Sequence, residues 1–424
     1  MTDVQSTMSS YKFVTSGAPR QQDESVWRYR LRRLFTVKSL KSLDEEHQTS
    51  KLKRSLNIFD LIMIGIGGII GNGIFVLAGQ AAATRAGPGV IISILLAGLT
   101  ASFAAFSYSE LASMIPIAGS SYTYTYATLG ELIAWIIGWD LTLEYLVGSS
   151  AVAVAWTESP FIFNSTTSTF ETVPGAYFNV PAFAIVIFLT VLLLIGIKES
   201  ARFAAFVVTV KLIVIFCFII AAGTRVNTEN FHPFIPPNKG SFSISYTQLD
   251  NPAPISVAVN ALGMRWLGII VDIGAVIGLT SVILVQLLGQ TRISIFGTPY
   301  ITTIITGTIA AIAAALLPID VLAELMSVGT LLAFFLVNIG VTILRFTAPD
   351  APRKFKVPGG PFLIPFLGAA LSLLLIATAS VPTIARLFIW MAIGLVIYFL
   401  YGSRRSKANN QEMCIEKATS KIEA

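Results

Sequence analysis

Apolar residues along this chain are gathered into long windows that break at Pro, Gly and clusters of charge. Ten such windows lie near 58-83, 89-115, 131-156, 181-197, 203-223, 258-288, 299-317, 320-345, 361-382 and 385-401. A bilayer crossing needs about 20 mostly apolar residues, so each window predicts a transmembrane helix. Residues 1-56 are polar and rich in Lys and Arg, without the short apolar core and small-residue cleavage site of a signal peptide; the first helix itself is expected to direct insertion. Residues 403-424 form a second polar tail. The pattern predicts an all-α polytopic membrane protein, with a transmembrane domain of about ten helices over 57-402 between two cytoplasmic tails.

Of 424 residues, 54% are hydrophobic and 12% charged, against roughly 25% charged in soluble domains, which excludes a water-soluble enzyme. The formal charge of +6 is not gathered on one domain, so it speaks for orientation in a membrane and not for a nucleic-acid partner. With the N-terminus in the cytoplasm, 23 of the 29 Lys and Arg residues fall on inside segments, the bias expected of that orientation. Cys217 and Cys414 make no disulfide framework and His47 and His232 no ligand cluster, so no metal or other cofactor is expected. The chain has no phosphate-binding Gly-Lys-Ser/Thr, no Gly-x-Ser-x-Gly and no His-Glu-x-x-His, which leaves ATP-driven transport and intramembrane hydrolysis without support. Asn164-Ser165-Thr166 falls in the expected outside loop over 157-180, as a glycosylation acceptor or a chance triplet.

Three places put polar chemistry at membrane depth. In the first window stand Gly65, Gly67, Gly68, Gly71 and Gly73, with Asn72 among them. They serve either close helix packing, Gly67 and Gly71 having the Gly-x-x-x-Gly spacing, or a helix broken at mid-depth whose freed N–H groups face a carboxylate. Lys211 is midway along the fifth window, roughly 12 Å of helix rise from either interface and too deep to snorkel comfortably. It marks a functional site, or it is a structural lysine capped by backbone carbonyls. Glu144 follows Asp140 by one turn, and such a pair either meets a cationic substrate or pairs with its own neighbours. Asp272 and the Thr280-Ser281 pair read as structural, hydroxyls in apolar helices bonding their own backbone. The run Tyr122-Thr123-Tyr124-Thr125-Tyr126 reads as an interfacial aromatic belt.

Gly65 to Gly79, Pro116 to Tyr122, Gly138-Trp139-Asp140-Leu141-Thr142-Leu143-Glu144-Tyr145, Lys198-Glu199-Ser200-Ala201-Arg202, Gly278-Leu279-Thr280-Ser281-Val282 and Leu317 to Leu325 resemble the cationic amino acid transporter branch of the amino acid-polyamine-organocation superfamily. The resemblance implies two inverted five-helix repeats plus a final pair, with substrate held where the first and sixth helices are broken. It implies secondary active transport of amino acids, cationic ones such as arginine, lysine or ornithine, by alternating access. The partners are then the amino acid and membrane lipid, in the plasma membrane rather than a vacuolar or lysosomal one. Carried over by position, the substrate carboxylate meets Gly71, Asn72 and Gly73, and its amine the Ile69 carbonyl. Lys211 matches the fifth-helix lysine that, in a proton-coupled relative, stands where sodium sits in sodium-coupled members. Glu144 matches the third-helix acid associated with transport competence.

The sequence departs from that family in two places. His232 to Gly240 looks like the outer loop before the sixth helix and Tyr246 to Asp250 like the one after the seventh, and near residue 242 they are joined almost directly. A shorter excision near 297 joins Gln290 to Phe296 with Gly297-Thr298-Pro299. Two crossings of about 20 residues each are expected to be absent, one of them carrying half of the substrate site. Losing a pair leaves every later loop on its usual side. The competing expectation is a truncated or mis-spliced, transport-deficient form that serves at most as a sensor or partner subunit.

Overall fold

The structure is a computed structural model and describes residues 34-39, 42-43, 56-71, 73-82, 86-155, 161-164, 169-172, 178-225, 255, 259-260, 263-292 and 299-402. Its main helices are α1 (Ile58–Ile69), α2 (Val90–Met114), α3 (Ser121–Thr128), α4 (Glu131–Val154), α5 (Val180–Ile195), α6 (Ile197–Gly223), α7 (Arg265–Arg292), α8 (Pro299–Leu316), α9 (Ile319–Thr347), α10 (Leu363–Ala377) and α11 (Val381–Ile397). Among the described residues seven helical spans are long and apolar enough to cross a membrane, and three more apolar helices are shorter. Each corresponds to one of the ten windows.

Local chemistry sets the ends. Asn57 caps α1, its side chain accepting the Asp60 N–H at 2.8 Å while the Asp60 carboxylate takes the Asn57 N–H at 3.0 Å. Asn179 caps α5 through the Ala182 N–H at 3.0 Å, with Pro181 in the first turn. The fifth window opens earlier than its charges suggest: Lys198, Glu199 and Arg202 lie inside the first turns of α6, where Ser200 Oγ donates to Gly196 at 2.8 Å and an acid at a helix start is favourable. The sixth opens later, at Arg265. The 157-180 loop contains a hairpin, β1 (Phe161–Asn164) antiparallel to β2 (Thr169–Thr172), so the all-α description applies to the membrane part. The tyrosine run, expected as an interfacial belt, forms α3, with Thr123, Tyr124 and Thr125 buried and Tyr122 and Tyr126 half-buried.

The chain comprises two compact units, one made of Met1–Leu52, Leu99–Thr142 and Ser327–Ala424, the other of Lys53–Gly98 and Leu143–Met326. In the first, tryptophans fasten α11 to α4. Trp139 and Trp390 stack with centroids 4.6 Å apart, and each indole N–H donates to the other's backbone carbonyl, at 2.9 and 3.3 Å. Gly394 makes the approach possible, since a Cβ there would strike the Trp139 ring. Glu110 of α2, 1% exposed, accepts Arg345 Nε at 2.9 Å and the Val357 N–H at 2.7 Å and pairs with Arg353 at 3.2 Å. In the second unit, Ser150 of α4 donates to the Ala310 carbonyl of α8 at 2.9 Å, and Gly307 of α8 lies directly against Thr190 of α5.

Candidate functional site

The site is built on the place where the first helix stops. Ile70 is extended (φ −84°, ψ 100°), and the chain resumes as a π turn over Gly73–Leu77 followed by a short helix Ala78–Ala81. Ile70 N–H still bonds the Ile66 carbonyl at 3.0 Å. The Gly67 carbonyl, which in an unbroken helix receives the N–H of residue 71, is answered by side chains instead, Lys211 and, at 3.3 Å, Ser281 Oγ. Lys211 Nζ donates to Gly67 O at 3.2 Å, to Ile70 O at 2.7 Å and to Ser281 Oγ at 2.9 Å. Ser281 Oγ in turn donates to the Gly278 carbonyl at 2.7 Å.

The ammonium has three N–H donors and meets three acceptors, so a side chain 0% exposed is satisfied at membrane depth. The negative end of the α1 half-helix adds to its stabilisation. Small residues bring the three helices within reach. A Cβ at Gly278 would lie 2.8 Å from Lys211 Cδ, at Gly67 3.0 Å from Val208, at Gly68 2.9 Å from Val285, and at Gly71 3.2 Å from Val282, whereas Gly65 and Gly73 face open space. The glycine run thus packs closely at Gly67, Gly68 and Gly71, and the helix is broken from Ile70 onward.

The other expected residues are placed as follows. Ile69 turns an exposed side chain outward, and the carbonyls drawn to Lys211 are its neighbours', not its own. Gly71 is buried against Val282, and Gly73 opens the π turn. Asn72 lies outside the described residues, as do the junctions near 242 and 297, and Asn164 closes β1. Glu144 is one turn from Gly148, where a Cβ would lie 3.2 Å from Gln286 Nε2 and 3.1 Å from Met326 Sδ; it is not among the three polar partners of Lys211. Ser281 is the member that sequence reasoning assigned to structure alone. It does bond its own backbone, as does Thr280, whose Oγ1 donates to Val276 at 3.0 Å. Its spacing three residues after Gly278 was the available signal.

Comparison with known proteins identifies the family. An amino acid permease model matches residues 56–245 and a model of the C-terminus of such permeases matches residues 355–406. The chain is 39% identical to a branched-chain amino acid permease of Bacillus subtilis (strain 168), across 89% of this chain and 99% of that protein. It is 34% identical to a methylthioribose transporter of the same organism over the same shares. It is 32% identical to the vacuolar cationic amino acid transporter 2 of Arabidopsis thaliana, across 76% of this chain and 65% of the plant protein. The chain is an integral, multi-pass membrane protein and belongs to the amino acid permease family of the amino acid-polyamine-organocation superfamily.

Proposed function

We propose that this chain is a secondary active transporter of amino acids working by alternating access, in the plasma membrane. The observation that carries the reading is the break at Ile70 with Lys211 seated on it. At such a break the N–H groups that open the second half-helix, at Gly71, Asn72 and Gly73, answer a substrate carboxylate, and the carbonyl end around Ile69 answers its amine. Lys211 is the group whose charge couples to transport. The cationic side-chain class draws support from the membrane-depth acid Glu144 and from the plant relatives; the bacterial relative, named for branched-chain amino acids, favours an aliphatic one.

A second reading, that the chain transports poorly, draws on two observations. The amino acid permease match ends at residue 245, beside the junction near 242. The alignment with the branched-chain permease runs over 462 positions while 89% of 424 residues is about 377, which leaves roughly 85 positions opposite gaps in this chain. That is room for two crossings of about 20 residues each with their connections. Without the sixth helix the break keeps one of its two half-sites, and polar backbone at mid-depth costs several kcal/mol wherever it is left unanswered.

Uptake of radiolabelled leucine and arginine into proteoliposomes tests both readings, using the 424-residue chain beside a version with the two helices restored. Saturable uptake by the 424-residue chain is the outcome of the first reading, and saturable uptake by the restored version alone is that of the second. Equal uptake at equal protein removes the deficiency, and uptake by neither removes the transporter reading.

A further inference from the structure

Part of the basic N-terminal tail is seated on the first unit. The Lys38 N–H donates to the Tyr126 carbonyl at 3.1 Å, and the Glu131 N–H donates to the Thr36 carbonyl at 3.2 Å, so the segment pairs its backbone with the α3–α4 turn. At the turn stands Gly130 with φ 97°, where a Cβ would lie 2.7 Å from the Phe35 carbonyl carbon; only glycine gives the segment both the backbone angle and the room. Lys38 Nζ lies 5.8 Å from the centroid of the Tyr126 ring. Five residues on, Leu43 is 3% exposed and belongs to a core cluster with Leu111 of α2, Ile115 just after it, Ala127 of α3, Leu344 of α9 and Ala348 just past its end. Its N–H donates to the Ser39 carbonyl at 3.1 Å, which turns the chain inward at that point.

We infer that residues 34-39 together with Leu43 act as an intramolecular latch, whose seating ties α3 to the adjacent ends of α2 and α9. The cluster that receives Leu43 also contains Val357, whose N–H is held by Glu110, so the latch shares one core with a residue bound to the ion-pair cluster. Two unlike anchors, a backbone pairing and a buried leucine, separate this from a charged tail that merely lies along lipid headgroups. In alternating access the ends of helices separate, and a strap sewn to α3 and inserted beside α2 and α9 opposes that separation. Detaching the tail releases these ends without altering the Lys211 site, so the inference stands or falls apart from the transport reading.

The test uses the full chain in detergent, with Cys217 and Cys414 replaced by Ser. Ala127→Cys places a thiol under the latch, and Thr383→Cys, at a buried position of α11 in the same unit, reports general integrity. With a water-soluble maleimide both are expected to react slowly. Deletion of residues 34 to 43, or Leu43→Asp, is expected to speed labelling at 127 by about tenfold or more, the scale of exposing one buried leucine side chain, and to leave 383 slow. Unchanged labelling at 127, or fast labelling in the full chain, overturns the latch. Should those variants loosen both positions, Leu43→Ala decides: faster labelling at 127 alone supports the latch, and any other pattern overturns it.

Discussion

The ammonium of Lys211 lies 2.7 Å from the carbonyl oxygen of Ile70, the residue at which the first helix stops. Each is costly alone: a lysine at mid-membrane depth needs acceptors, and an interrupted helix leaves acceptors bare. Together they meet both needs, so removing either partner exposes the cost of the other.

Lys211→Met should therefore destabilise the purified chain. It strips Ile70 O of its side-chain donor and leaves Gly67 O only the longer bond from Ser281 Oγ at 3.3 Å, at about 1–3 kcal/mol for a buried group left unsatisfied. Lys211→Arg should not restore stability, because the packing of Gly278 against the Lys211 stem leaves no room for a longer, planar head. Thermal unfolding in detergent reads both, and a melting temperature for Lys211→Met equal to that of the parent contradicts the account.

Two glycines of the site should respond oppositely to alanine. At Gly278 the new Cβ meets Lys211 Cδ at 2.8 Å, so Gly278→Ala displaces the lysine and lowers stability, whereas Gly73 has nothing within 4 Å and Gly73→Ala folds normally. If the π turn at Gly73 binds the carboxylate, Gly73→Ala still lowers the substrate-dependent rise in melting temperature. The contrast disappears if the two variants melt alike.

Glu110→Leu should be the most damaging single change in the first unit. It leaves Arg345 and Arg353 without their carboxylate and the Val357 N–H without its acceptor, and breaking a buried ion pair from one side costs about 3–5 kcal/mol. Denaturant unfolding followed by tryptophan fluorescence measures it; a loss under about 1 kcal/mol, the scale of an exposed pair, would refute the buried role.

From the distribution of basic residues, the tails are expected inside and the β1–β2 hairpin outside. An introduced Asn164→Cys should react with an impermeant maleimide in intact cells. Reaction only after permeabilisation reverses the topology.

Much of the membrane architecture was legible along the chain because the bilayer imposes it locally. Each of the ten apolar windows corresponds to an apolar helix among the described residues, and the glycine run and Lys211 stood out because lipid tolerates neither without a reason. The misreadings were local as well: charges at Lys198 and Arg202 suggested a connector where a helix tolerates them in its first turns, and the tyrosines of α3 were assigned to a surface from composition alone.

By itself the sequence determined which segments enter the membrane, which residues there are chemically conspicuous, and the family resemblance; these follow from periods and lengths within about 20 residues. The tertiary structure decided the partners. Ser281 receives Lys211 from 70 residues away, Arg345 reaches Glu110 across 235, and Trp139 and Trp390 exchange hydrogen bonds across 251. Arg345 and Arg353 counted toward orientation in the sequence whether they faced water or a carboxylate, and Leu43 was one apolar residue in a polar tail. Pairings of this kind leave no period in the chain, because they are selected by the shapes of helices that meet only after insertion and packing.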